Sequence, residues 1–267
     1  MTRHLETRTI ADFGEQWTEY PDAAGFFGSA ALFNDFFNPL VCDRDVTGCR
    51  VADIGAGIGR FVNVFGEAGA AHIIAVEPSE AFRVLKGNTT RFRDRITYLN
   101  TTGDGLPAAG DLDYVFMIGV LHHIPNPDPV VAAASGALRG GGKLAIWLYG
   151  REGNELYLTV ARSLWWLTRR VPHRSLEHIV RIIYPLFWCY MTACRWLPLP
   201  LAEYMRKVML RLTPTKRRVV IYDQLNPAFA KYYTREEAHG VLARHGFVDI
   251  RLHHRHGISW TVVGSKP

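Results

Sequence analysis

The sequence predicts an α/β protein with a doubly wound, mostly parallel seven-stranded sheet whose last strand is antiparallel. A helical extension precedes the sheet, and a helical insertion follows the fifth strand. Three observations carry this prediction. Short apolar runs alternate with helix-like stretches from Arg50 to Leu148. A capped helix and two closely spaced apolar runs resume that pattern from Thr234 to Gly264. Between them, residues 151–222 are basic, aromatic and broken by prolines.

The elements follow in order. Residues 1–49 read as a helical N-terminal lid with aromatic pairs at Phe26-Phe27 and Phe36-Phe37. RVADI (50–54), HIIAV (72–76), ITYL (96–99), LDYVFMI (112–118) and KLAIWL (143–148) are short and largely apolar, as strands covered on both faces must be. Helical stretches fall between them at 58–69, 79–91 and 128–138. Ser79 can cap the second, and Gly140-Gly141-Gly142 is expected to stop the third. Repeated strand–helix–strand order means a parallel sheet with helices on both faces. In TREEAHGVLARHG (234–246), Thr234 and Glu237 have capping-box spacing. FVDIRL (247–252) and ISWTVVG (258–264) then read as a strand hairpin. The segment 151–222 looks helical, with Pro172, Pro185, Pro198, Pro200 and Pro214 expected to break it into pieces. The predicted units are thus 1–49, a domain formed by 50–150 with 223–267, and the insertion 151–222.

The 267 residues, 48 % hydrophobic and 21 % charged, suffice for one α/β domain with an insertion and a sizeable core. Cys42, Cys49, Cys189 and Cys194 show no C-x-x-C spacing, so neither a disulfide framework nor a zinc site is expected and a reducing cytoplasm fits. The mixed-charge start MTRHLETRTIADFGEQW lacks the apolar core of a secretory leader. Net charge is +6, unevenly placed: residues 151–222 hold 11 Arg and 2 Lys against 4 Glu, a net of +9, which leaves −3 for the rest.

VADIGAGIGRF (51–61) has the chemistry of a ligand loop. Gly55, Gly57 and Gly59 leave a buried strand and enter a helix, where exposed backbone N–H groups and missing side chains admit a ligand. A tight turn holding nothing is the plain alternative. Glu77 ends the second strand about 20 residues on, where an acid can accept both hydroxyls of a ribose. Asp104, in Gly103-Asp104-Gly105 after the third strand, can accept from an adenine amino group. Asp53 can orient a cationic ligand. All these residues fall at the carboxyl edge of the sheet, where open α/β sheets place ligands. A nicotinamide dinucleotide fits less well: Arg60 stands where its fingerprint needs glycine, and Asp53 would face two phosphates.

In motif order and spacing the chain resembles the class I S-adenosylmethionine (SAM)-dependent methyltransferases. VADIGAGIGR, AVEPSEAF, TTGDGLP, DYVFMIGVLHHIPNP and LRGGGKLAIWLYG resemble five successive motifs, and GFVDIRLHHRHGISWTVVGSKP the closing hairpin. The likeness covers about 50–148 and 234–267. It implies a Rossmann-like domain that binds SAM, with S-adenosylhomocysteine as product and no metal. The cofactor contacts it implies are Asp53, Gly55, Ala56, Gly57, Gly59, Glu77, Pro78, Gly103, Asp104, Gly105, Ile118, Gly119 and His122. Phe13 and Trp17, at i and i+4 on one helix face, would form the lid, or would simply pack on the sheet.

Methyl transfer to oxygen or nitrogen also removes a proton, and histidine is the usual base near neutral pH. His122 is the expected cleft-facing candidate, with His123 beside it; either could instead cap the loop before Pro125-Asn126-Pro127. Tyr222, Asp223, Tyr232 and Tyr233 could present polar groups to an acceptor, or serve as packing and a turn. His253, His254 and His256 read as a solvated turn rather than a metal site, because arginines flank them.

The insertion carries Trp165, Trp166, Trp188 and Trp196, and its longest charge-free run (182–194) is too short to span a bilayer. It is expected to act as a substrate cap with solvated arginines, or as a membrane-surface element serving a lipid-like acceptor. A nucleic-acid surface is a third reading, less favoured because the aromatics fall in apolar runs. The function expected is SAM-dependent methylation of O or N, less so C, on a small-molecule or lipid-like acceptor, in the cytoplasm or peripheral to a membrane. The alternatives are a tRNA or other nucleic-acid methyltransferase, and a non-catalytic nucleotide-binding protein of the same fold.

Overall fold

The computed structural model describes residues 2–155, 157–159, 173–225 and 229–267. Trp165, Trp166 and Pro172 lie outside the described residues. Helix α1 (Thr2–Glu19) leads to α2 (Ala30–Phe37), which Ser29 caps by accepting from the Leu32 amide at 3.2 Å. The alternating region then runs β1 (Arg50–Ile54), α3 (Arg60–Glu67), β2 (His72–Val76), α4 (Ala81–Asn88), β3 (Ile96–Leu99), β4 (Leu112–Ile118), α5 (Asp128–Ala137) and β5 (Leu138–Tyr149). The insertion contributes α6 (His173–Ala193), α7 (Ala202–Lys207) and α8 (Pro214–Leu225). Helix α9 (Arg235–Ala243), β6 (Val248–Arg255) and β7 (Ser259–Ser265) close the chain.

The sheet order is β3-β2-β1-β4-β5-β7-β6. The first five strands pair in parallel, and β7 runs antiparallel between β5 and β6. The order reverses between β1 and β4, and an open α/β sheet parts its loops there to make a crevice. On one face, α2 and α3 pack an aromatic core: the Phe33 ring lies 4.9 Å from Phe37, 5.4 Å from Phe65 and 5.5 Å from Phe116. Part of the insertion joins this cluster through Val180, Met191 and Met205. On the other face, Val131 and Ala134 of α5 and Val241 and Leu242 of α9 pack with Val115 and Leu144 of the sheet.

Local expectations and structure differ at three points. Strand β5 begins at Leu138, five residues before the apolar run KLAIWL, and the three glycines sit inside it rather than capping α5. The extended ladder explains this: the Gly141 amide donates to Lys266 O and the Lys266 amide to Gly142 O, both at 2.8 Å. Helix α4 is shorter than 79–91 and passes into a 3-10 turn at Thr90–Arg95; Ser79 Oγ accepts from the Ala81 amide at 3.2 Å. Pro185 does not break the insertion but lies within α6. It is exposed, so water can satisfy the carbonyl its ring leaves unpaired, while buried Val180 and Met191 anchor the helix on either side. The capping box at Thr234 forms as its spacing predicts, with Glu237 N–H donating to Thr234 Oγ1 at 3.2 Å and Thr234 N–H to Glu237 Oε2 at 3.0 Å. Among the described residues no helix is long and apolar enough to cross a membrane.

Candidate functional site

The loop between β1 and α3 turns back over the sheet edge with Gly55, Gly57 and Gly59 at φ of +73°, +55° and +82°. Two of these glycines answer to packing as well as to φ. A Cβ on Gly55 would stand 2.4 Å from Val120 Cγ2, and one on Gly59 2.6 Å from Thr89 Cγ2. Gly57 faces the Trp17 ring instead, with Nε1 3.7 Å from where its Cβ would be. Helix α1 therefore lies across the loop, and the close approach of Gly14 to Ser79 brings it down onto the start of α4.

Glu77 ties this loop to the end of β2. Its Oε2 accepts from the Gly57 amide at 2.8 Å, and its Oε1 accepts from the Ser79 amide at 2.9 Å and the Ser79 hydroxyl at 2.5 Å. Asp53 is buried beside it. Burial pushes the Asp53 carboxyl up to about 7, against the pull of the Arg60 guanidinium and with the push of Glu77. The Arg60 guanidinium itself stands 4.4 Å from the ring centres of Phe27 and Phe61.

These groups line one end of a cavity of about 510 Å³. Of the expected cofactor contacts, Phe13, Trp17, Asp53, Gly55, Ala56, Gly57, Glu77, Pro78, Gly103, Ile118 and Gly119 lie on its wall. Gly59, Gly105 and Asp104 do not. Asp104 is exposed and takes a hydrogen bond from the Thr102 hydroxyl at 2.5 Å.

The histidine expected to face the cleft is the wrong one of the pair. His122 is fully buried and stacks on Tyr149 at 3.8 Å, behind the cavity wall. His123 lines the cavity. Leu121–His123 form a 3-10 turn, which rotates each residue about 120° from the last, so Leu121 and His122 enter the core while His123 turns outward. The Phe229 carbonyl, 2.7 Å away, accepts from His123 Nδ1, which leaves Nε2 with the lone pair. Phe13 meets this ring edge-on at 4.8 Å. Burial lowers the His123 imidazole to about 4, partly offset by that carbonyl; burial also pushes His122 well below its ordinary value.

Tyr232 lines the cavity and Tyr233 does not. Backbone extended enough to bridge Gly150 puts neighbouring side chains on opposite sides, so Tyr233 packs in the core, 2 % exposed. Tyr222 packs, half-buried, on the insertion side of the core, off the cavity wall. The Asp223 side chain lies outside the described residues. Around Tyr232 the fold adds groups that periodicity does not mark. Gln224 Oε1 accepts from Tyr157 OH at 2.7 Å and Tyr232 OH at 3.3 Å, and Gln224 Nε2 donates to Tyr149 OH at 3.2 Å. Beyond them the wall is apolar, with Phe187, Met205, Met209, Leu212 and Ile221 of the insertion.

RLHHRHG is not a solvated turn. Arg255, 2 % exposed, enters the fold and pairs with Asp35 of α2 through Nε at 2.9 Å and through its terminal nitrogen. His256 Nε2 is 2.9 Å from Asp35 Oδ1 and its Nδ1 is 3.2 Å from Glu203 Oε1; His254 stacks on Trp260, and His253 is half-buried. Burial raises the Asp35 carboxyl, but the His256 hydrogen bond and the Arg255 charge outweigh it and hold the group below its ordinary value. The missed signal was Asp35, a carboxylate in the apolar helix AALFNDFF that needed a buried cation. Among the described residues no cluster of His, Cys, Asp and Glu has an arrangement suited to a metal ion.

Residues 52–144 match the family described as a methyltransferase domain. The chain is 30 % identical over 149 residues to an uncharacterized methyltransferase of Mycobacteroides abscessus, covering 52 % of this chain and 58 % of that protein. It is 30 % identical over 127 residues to a tRNA U34 carboxymethyltransferase of Alcanivorax borkumensis, covering 46 % of this chain and 39 % of that one. The chain thus spans about half the length of these curated relatives. Its fold is shared with Burkholderia thailandensis 1,6-didemethyltoxoflavin-N1-methyltransferase, solved with 1,6-didemethyltoxoflavin and S-adenosylhomocysteine bound. That match has a TM-score of 0.59 at 14 % identity and covers 100 % of this chain and 90 % of that chain.

Proposed function

Because this chain belongs to the class I SAM-dependent methyltransferases, we propose that it transfers a methyl group to an oxygen or nitrogen of a small, largely apolar or lipid-like acceptor. One observation supports this best: a single cavity joins the Asp53–Glu77 glycine loop to His123 and then to the aromatic and apolar wall of the insertion. When bound, SAM would supply an electrophilic methyl on a sulfonium whose charge is neutralised as the acceptor attacks.

The residues present fit that ligand. Glu77 would share its carboxylate between the Gly57 amide and ribose hydroxyls, since a carboxylate has room for about four hydrogen bonds. Asp53 would face the amino-acid end, where an ammonium group favours its ionised form. Phe13 and Trp17 of α1 would cover the ligand and exclude water. Pro78, Gly103 and Ile118 would flank the adenine, with Thr102 nearer to it than Asp104. A dinucleotide is disfavoured, because a carboxylate at Asp53 repels a pyrophosphate.

His123 is the group we assign to the acceptor's proton. Its Nδ1–H is held by the Phe229 carbonyl, its Nε2 can accept, and at neutral pH the ring is unprotonated. The Tyr149–Gln224–Tyr232 network would orient the acceptor's polar end, and Met205, Met209 and Leu212 would hold its apolar body. No metal takes part in this reading. The units 1–49 and 151–222 would act as lid and substrate cap on the SAM-binding domain.

Calorimetric titration with SAM, S-adenosylhomocysteine and NAD tests the cofactor. Binding of the two adenosyl ligands without NAD is the expected result, and NAD binding alone would overturn the reading.

A further inference from the structure

Helix α6 carries apolar residues on two separate faces, one turned into the fold and one to solvent. Its inward face buries Val180 and Met191 and sets Ile183 and Phe187 against the cavity. Its outward face carries Ile182 and Leu186 at i and i+4, 74 % and 75 % exposed, flanked by Ile179 and Cys189. The turn that follows exposes two further apolar residues, Trp196, 85 % exposed, and Leu197. Single exposed apolar residues are ordinary, but a stripe of them along one helix, followed by an exposed tryptophan, marks a contact surface.

Charge identifies the occupant. From His178 to Ala202 the sequence contains Arg181 and Arg195 and no Asp or Glu, and both arginines are exposed. An exposed apolar helix face, an exposed tryptophan just past the helix end and arginines as the charges in this run are the composition of a helix lying in a lipid–water interface. A second copy of the chain would bring arginines toward arginines with no carboxylate on either stripe. Nucleic acid would need cations where Ile182 and Leu186 stand.

We propose that the outer face of α6 and the Trp196–Leu197 turn dock on a bilayer surface that contains anionic lipid. Helix α6 then separates the bilayer from the cavity, with its outer face in the headgroup layer and Phe187 on the acceptor wall. The docking stands by itself. That the acceptor comes from the lipid phase rests on the methyl-transfer reading above.

The test is co-sedimentation of the full chain with phosphatidylcholine vesicles, with and without phosphatidylglycerol, alongside S-adenosylhomocysteine calorimetry and light scattering. Binding should require phosphatidylglycerol and weaken as salt rises. Arg181→Gln and Arg195→Gln should each weaken it about fivefold. The triple variant Ile182→Ser, Leu186→Ser, Trp196→Ser should weaken it at least about a hundredfold, since three buried apolar side chains are lost. Those positions are mostly exposed, so the triple variant should still bind S-adenosylhomocysteine as the parent does. No sedimentation with either vesicle by a protein that binds S-adenosylhomocysteine would overturn the proposal. So would a dimer that the triple variant dissolves, which would assign the face to a second copy. Vesicle binding without S-adenosylhomocysteine binding would leave the docking intact and remove the cofactor reading instead.

Discussion

Glu77 Oε2 accepts the Gly57 amide at 2.8 Å, so the carboxylate that ends β2 holds the loop that leaves β1. The same group is the ribose acceptor in the proposed complex, and one substitution touches both roles. Glu77→Ala should weaken S-adenosylhomocysteine binding by roughly 1.5–3 kcal/mol, the value of a charge-assisted hydrogen bond. Glu77→Gln keeps an oxygen for the amide and should lie between. Calorimetry reads both, and parental affinity in the alanine variant would end the assignment.

Asp53 makes cofactor affinity depend on pH near neutrality. Its carboxyl is raised to about 7 by burial, so in the empty pocket it is half ionised there. A cationic ligand favours the ionised form, and SAM affinity should rise as pH rises from 6 toward 7.5. Stability of the free protein runs the other way. A raised carboxyl pKa stabilises the fold at acid pH, and that contribution is lost as pH rises through the folded value. Asp53→Asn should flatten both profiles, read by calorimetry and by thermal unfolding across that range. A SAM-binding profile unchanged by the substitution would remove Asp53 from the ligand's charge.

The two adjacent histidines should separate cleanly. His123→Ala should lower turnover by about 10²–10⁴-fold, the range for a positioned general base, with S-adenosylhomocysteine affinity little changed. His122→Ala removes a buried ring stacked on Tyr149 and should lower the melting temperature more than it lowers turnover. With an acceptor in hand, steady-state rates and thermal melts distinguish them, and a His123→Ala enzyme of parental turnover would refute the base.

The fold was legible because buried parallel strands and their caps are local signals. RVADI, HIIAV, ITYL and LDYVFMI coincide with β1 to β4, and Thr234 and Glu237 form their capping box. What failed depends on rotation or on partners far along the chain. The 3-10 turn decides between His122 and His123, and no hydrophobic period records it. Tyr149, Tyr157 and Gln224 meet only because β5, the start of the insertion and α8 converge. Arg255 read as exposed because its partner, Asp35, lies 220 residues earlier.

That Asp35–Arg255 pair gives the last prediction. It pins α2 to the hairpin of β6 and β7, and the Arg255 guanidinium lies 4.5 Å from the Phe36 ring, which in turn packs 4.6 Å from Trp147 on the cavity wall. Asp35→Ala would leave a 2 %-exposed guanidinium without its carboxylate, which typically costs about 3–5 kcal/mol. The Asp35 carboxyl is held below its ordinary value, so its contribution is present above the unfolded pKa of about 4 and is lost as pH falls through the lower folded value. Wild type should therefore lose this increment in acid, while Asp35→Ala, already lacking it, should show a shallower acid limb in thermal unfolding. Replacing both partners, Asp35→Ala with Arg255→Met, should recover much of the loss, because no buried charge is then left unpaired. If the double variant were no more stable than Asp35→Ala alone, the cost would lie in packing around α2 rather than in the stranded charge.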